Sequence, residues 1–206
     1  MSARSTSPFR PLLLSLIVVA AALLSGCATI YVDTKHQSVD ASQIRKPQRP
    51  QDVQLLFTFQ SKGTSNARAT EYLKADVTRM VAESGLFAVV GSDPSLSGAT
   101  ISIIINNVPE EGAVGKGVAT GLTMGLAGNV VADNYVCTVD YLAVASGSKL
   151  SKISKTATHS IYTTVGAKGA PPNATKAKNI DEAVRTMSRQ IVTAALKDLS
   201  TDPTFK

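Results

Sequence analysis

The chain has 206 residues, with 21 Lys and Arg against 15 Asp and Glu and a formal charge of +6. That length suits one domain with a sequestered core, and two cysteines exclude a disulfide-stapled scaffold. Two histidines leave little for histidine-based metal sites or catalytic triads, and mild basicity without interleaved aromatics does not describe a nucleic-acid binder.

Residues 1–10 carry Arg4 and Arg10 and no acid, and residues 12–24 form an unbroken run of low polarity. A bilayer-spanning helix needs about 20 apolar residues, so this run is too short to span and reads as a secretory signal over residues 1–26. Leu24-Ser25-Gly26-Cys27 resembles the bacterial lipobox: an aliphatic residue, two small residues, then cysteine. The resemblance implies cleavage between Gly26 and Cys27, a diacylglyceryl group on the Cys27 thiol, and acylation (palmitate, for example) of the new amino terminus. Several acyl chains together give stable anchoring where a single one does not. In lipoproteins an aspartate after the cysteine favours inner-membrane retention in enterobacteria; Ala28 stands there, which leans toward the outer membrane facing the periplasm.

Residues 27–50 are mostly polar and end in Lys46-Pro47-Gln48-Arg49-Pro50. Prolines favour an extended path, so a lipidated flexible tether is expected, with His36 a lone surface histidine. A single domain is expected over residues 51–206. Val53, Leu55, Phe57 and Phe59 alternate as in a strand. Gly63 marks a turn, and Ser65 or Asn66 can cap a helix over 67–84, where Leu73, Val77, Met80, Val81 and Ser84 recur at helical spacing before Gly85. Residues 86–90 read as a short strand and Ser92-Asp93-Pro94 as its turn. Residues 99–108 are apolar on both faces, as in a central strand. Residues 134–145 and 152–165 pattern as a hairpin through Ser146-Gly147-Ser148, and Ala167 to Lys178 as a loop. Asn179 with Glu182 predicts the start of a last helix, whose inner stripe is Val184, Met187, Ile191, Ala195 and Leu199 and which Pro203 ends.

The expected order is β-α-β-β-(insertion)-β-β-α: an α+β two-layer sandwich with a mostly antiparallel sheet and two packed helices. This order and the phrase SGLFAVVG at residues 84–91 resemble a group of envelope proteins. The group includes the curli-secretion lipoprotein, the Pel-polysaccharide lipoprotein and the amino-terminal domain of the Tol-system propeller protein. The resemblance implies an accessory in envelope export or assembly, sometimes in a ring.

Residues 112–132 are an apolar, glycine-rich insertion. Gly117, Gly121 and Gly125 recur every four residues, a spacing that lets another backbone approach closely if the segment is helical. Packing on the domain or a neighbouring subunit, contact with the membrane, and a flexible loop are all open readings, the last because glycines weaken a helix. The stretch imitates nucleotide motifs without satisfying them. Gly117 follows Gly115-Lys116 where a P-loop needs Ser or Thr, and Gly115, Gly117 and Gly121 are spaced one residue too wide for a dinucleotide turn.

No catalytic, metal or cofactor constellation emerges. His159 and Ser160 are adjacent in a strand and so point to opposite faces. Cys137, in an apolar pattern, reads as a small buried hydrophobe, Asp140 as surface pairing, and Glu110-Glu111 as a solvated strand end. The leading expectation is therefore a non-enzymatic envelope lipoprotein, held to the membrane by its lipid and working through an envelope protein partner or self-association. A ring-forming subunit of a secretion conduit and a carrier of lipid or another small ligand are the alternatives.

Overall fold

Asn66 starts the first helix, α1 (Ala67–Glu83), by accepting the Ala69 N–H on its side chain. Asn179 does the same for α2 (Ile180–Ser200) by accepting the Glu182 N–H, while Glu182 accepts the Lys178 N–H in return. Gly85, at φ +69°, closes α1 in the left-handed conformation that a side chain resists. The computed structural model describes residues 28–95, 98–109, 128–145, 149–166 and 169–205.

The strands are β1 (Thr29–Asp33), β2 (Val53–Ser61), β3 (Thr64–Ser65), β4 (Val90–Gly91), β5 (Thr100–Pro109), β6 (Asn129–Ala145), β7 (Lys149–Val165) and β8 (Ala174–Lys176). They form one sheet in the order β3-β2-β5-β6-β7-β1-β8, with β4 also beside β2. Among the described residues the parallel pairs are β2 with β5 and β2 with β4, because α1 carries the chain back to the starting end of β2. Lys62 and Gly63, both at positive φ, make the tight turn into β3. The short strands β3 and β4 border β2 on one side and β1 with β8 border β7 on the other; they cover only parts of those strands, since β1 pairs with residues 161–164 of β7 and β3 and β4 with residues 60–61 and 53–54 of β2.

Both helices lie on one face of the sheet. That face presents Leu55, Ile101, Ile103, Ile105, Cys137, Val139 and Ile161, all buried, against Leu73, Val77, Met187, Ile191, Ala195 and Leu199. Burying one such aliphatic side chain contributes roughly 1.5–3 kcal/mol. Arg185 links the helices by an ion pair to Asp76 and by stacking 4.6 Å over the Tyr72 ring. The opposite face carries Leu56, Ile104 and Val136 among threonines, half-buried or exposed. The two-sided apolarity of residues 99–108 thus marks a central strand, as expected, but one with a single helix-covered face.

Several boundaries differ from the sequence reading. Thr29–Asp33, expected in a flexible tether, is a strand, because Ile30 and Val32 alternate onto the helix-covered face opposite Thr163 and Ile161. The following residues form a strap along the helices. The Val39 N–H donates to Thr193 Oγ1, the Arg45 N–H donates to Ser200 Oγ, and Ile44 is 5% exposed. Of the strand expected at 86–90, only Val90–Gly91 pairs; Leu86 and Phe87 turn into the core. Asn129–Ala132, assigned to the insertion, extend β6, and β7 begins at Lys149. β8 lies inside the expected loop, held by β1.

Candidate functional site

The sheet has one end where several chain segments converge. Thr29 pairs with Thr164 and Asn129 with Val165, so the starts of β1 and β6 flank the finish of β7. Two strand spacings separate them, about 10 Å. Exposed Ala28 is the single residue between position 27 and β1. The insertion leaves the sheet after Pro109, opposite Asp133, and rejoins it at Gly128, next to the first residue of β6. The α2 start lies here too, since the Ala177 N–H donates to the Ile30 carbonyl. Lys176, Lys178 and Ile180 are exposed around it, the last at 51%.

Cys27 and Gly26, expected to be lipidated and cleaved, Gly117, Gly121 and Gly125, expected to pack, and Glu110-Glu111 lie outside the described residues. What the structure fixes is where their segments enter and leave the fold. Sequence reasoning missed that these departures share one sheet end, because the register of β1 and β6 on β7 is non-local. The weak signal available was the alternation of Ile30 and Val32 just after the cysteine.

Below this end lies a polar cluster on the helix-covered face. His159 is 3% exposed. Its Nδ1 accepts the Ser160 N–H at 2.8 Å, so the neutral ring carries its proton on Nε2, which donates to Gln190 Oε1 at 2.7 Å. Burial depresses its pKa. His36 is no lone tether histidine: it is half-buried, with its ring centroid 6.0 Å from that of His159. Burial first, then the Asp133 charge, pushes the Tyr135 hydroxyl up to about 12, and burial raises the Asp133 carboxyl. Cys137 is buried and its thiol is pushed up to about 12, so it packs as a hydrophobe and stays protonated.

His159 and Ser160 do point apart, since Ser160 Oγ donates to Asn134 on the other face. Asp140 pairs with Lys152 at 3.1 Å on that outer face. The cluster thus stabilises the fold and supplies no activated nucleophile. Among the described residues, no group of three His, Cys, Asp or Glu side chains could hold a metal ion, and no helix is long and apolar enough to cross a membrane. The space between the layers, where a carrier would keep its ligand, is filled by fully buried side chains such as Ile103, Ile105, Met187 and Leu196.

No family model matches the chain, and no curated protein matches it. The chain is similar to solved structures, two of which follow. A PelC dodecamer from Paraburkholderia phytofirmans is 12% identical at a TM-score of 0.35, covering 85% of this chain and 99% of that one. A neuraminyllactose-binding hemagglutinin homolog from Helicobacter pylori is 11% identical at a TM-score of 0.41, covering 82% of this chain and 92% of that one. The first carries the Pel name of one of the proteins that the element order resembles; likenesses of this size carry no function across.

Proposed function

We propose that this chain is a lipid-anchored envelope protein without enzymatic activity, which works by binding other envelope components. One observation carries the reading: the fold begins two residues after Cys27, at the sheet end from which the glycine-rich insertion also departs. An acylated Cys27 would hold that end against the bilayer, with exposed Lys176 and Lys178 near anionic head groups. It would also hold the insertion beside the same surface, where the four-residue spacing of Gly117, Gly121 and Gly125 would let a partner segment or a second copy approach closely if the segment is helical. Tethering acts by raising the effective concentration of partners already in the membrane plane. The outer membrane is the favoured location because Ala28 replaces the retention aspartate.

The test is fractionation of intact cells with the wild-type chain and Cys27→Ser, followed by photo-crosslinking from position 121. The wild type is expected in the membrane fraction with an acylated amino-terminal peptide, and a discrete crosslinked product is expected from position 121. A wild-type chain recovered soluble, or crosslinks that vanish into background, would contradict the anchor and the association role respectively.

A further inference from the structure

The other end of the molecule holds a cavity of about 460 Å³. It lies where α2 finishes, about 30 Å along that helix from the end where β1 begins. Its wall is the last part of the strap, with Arg45, Lys46 and Arg49 exposed and Pro47 between them. The facing wall is Pro203 and Phe205.

The strap and the aromatic wall are held in place. Ile44 is buried and the Arg45 N–H donates to Ser200 Oγ, so the strap cannot swing away from α2 without losing both. The Lys46 stem lies on Gly85, where a Cβ would stand 2.9 Å from its Cε. Phe205 packs edge-on against Tyr141, with centroids 5.1 Å apart, and against Phe87 at 6.1 Å. The one acid in the wall, Asp202, is committed: one carboxylate oxygen accepts from Lys155 at 2.7 Å and the other from Thr204. Arg45, Lys46 and Arg49 enter no ion pair among the described residues. A helix carboxyl end presents the equivalent of about half a negative charge, which three cations exceed.

We propose that this cavity is a binding site for an acidic saccharide, with carboxylate or phosphate groups on Arg45, Lys46 and Arg49 and a sugar ring against Phe205. The volume falls within the roughly 300–1,000 Å³ of small-ligand sites. Guanidinium groups pair with carboxylates and phosphates in two parallel hydrogen bonds. The electron-rich face of an aromatic ring attracts the polarised C–H bonds of a pyranose, and prolines add rigid apolar walls. A charged bilayer offers the same anions without the ring. The choice of saccharide over bilayer rests on the anchor reading above, since a chain held at residue 27 carries this end away from the lipid.

The experiment measures binding of a trigalacturonate to the full mature protein in mild detergent, by calorimetry. Saturable binding is expected, with no binding of a neutral maltotriose. The double variant Arg45→Gln/Arg49→Gln, with an unchanged melting temperature, is expected to weaken it by about tenfold or more. Phe205→Leu is expected to weaken trigalacturonate but not inorganic phosphate. Absent binding, binding unaffected by the double variant, or equal competition by a short poly-glutamate would overturn the saccharide site. Acyl-free protein that binds anionic phospholipid vesicles through Arg45 and Arg49 would overturn both this site and the anchor-end orientation. Loss of membrane fractionation with trigalacturonate binding intact would overturn the anchor alone.

Discussion

At one end of the sheet, β1, β6 and β7 meet at Thr29, Asn129 and Val165, beside the segment that leads to Cys27 and beside the insertion. At the other end, the strap closes over the finish of α2 and presents Arg45, Lys46 and Arg49 around a cavity walled opposite by Pro203 and Phe205. The first end is built from strand termini, where the chain that follows Cys27 enters the sheet and the insertion rejoins it. The second is built from a strap held at Ile44 and at the Arg45 N–H, and it carries three exposed cations. Both are joined by α2 and by the strap that runs beside it, so an anchor at Cys27 would set which way the cavity faces. A flexible tether over residues 27–50 would have left that orientation free.

The largest expected effect removes the difference between the ends altogether. Cys27→Ser abolishes membrane association, and fractionation of intact cells shows the chain shift wholly to the soluble pool. The next breaks the link. Ile44, 5% exposed between strap and helices, becomes alanine at a cost of about 2–4 kcal/mol in urea unfolding; a tether residue would change stability by less than about 0.5 kcal/mol.

The third effect separates the ends by pH. His159 lies nearer the anchor end, and its pKa is lowered from 6.5, chiefly by burial; Gln190, the Ser160 backbone, Asp33 and His36 face it. The unfolded chain therefore takes up the proton first. This stability is complete above pH 6.5 and drains away as the pH falls below it, toward the folded value. Asp202, at the cavity end, has its pKa lowered from 3.8 to about 2, first by the Lys155 hydrogen bond. Its contribution is present above 3.8 and is lost between there and about 2. Melting temperature against pH is thus expected to fall in two steps: His159→Gln flattens the upper one and Lys155→Met the lower. The smallest effect is a control at the anchor end. Lys178→Ala breaks an exposed pair with Glu182, 4.0 Å apart, and is expected to cost about 0.5 kcal/mol or less in the same unfolding assay.

Both helices and the long hairpin were legible because their signals are local. The asparagine caps, the stripe from Val184 to Leu199 and the alternation in residues 134–145 each need only a few neighbouring residues. β1 and β8 were not legible. They are short, and their only ladders are with each other and with β7, so Thr29 finds its partner at Thr164. The strap was hidden for a related reason. Its prolines and charges read as a linker, and the cues were Val39 and Ile44, apolar residues in a polar run. The cavity is assembled from residues near 45 and near 205, and no periodicity connects them. The resemblance of Leu24-Ser25-Gly26-Cys27 to a lipobox is a contiguous pattern, whereas the sheet end where β1 begins is set by register.

The most direct test places a fluorophore at each end of the acylated protein in lipid nanodiscs, through Lys178→Cys in one variant and Gln48→Cys in another, with Cys137 buried and unreactive. Quenching by a lipid-borne nitroxide reads the distance to the bilayer. The account predicts strong quenching at position 178 and little at position 48, consistent with ends about 30 Å apart. Equal quenching at the two positions, or stronger quenching at 48, would contradict a fold held to the membrane by its strand-terminus end.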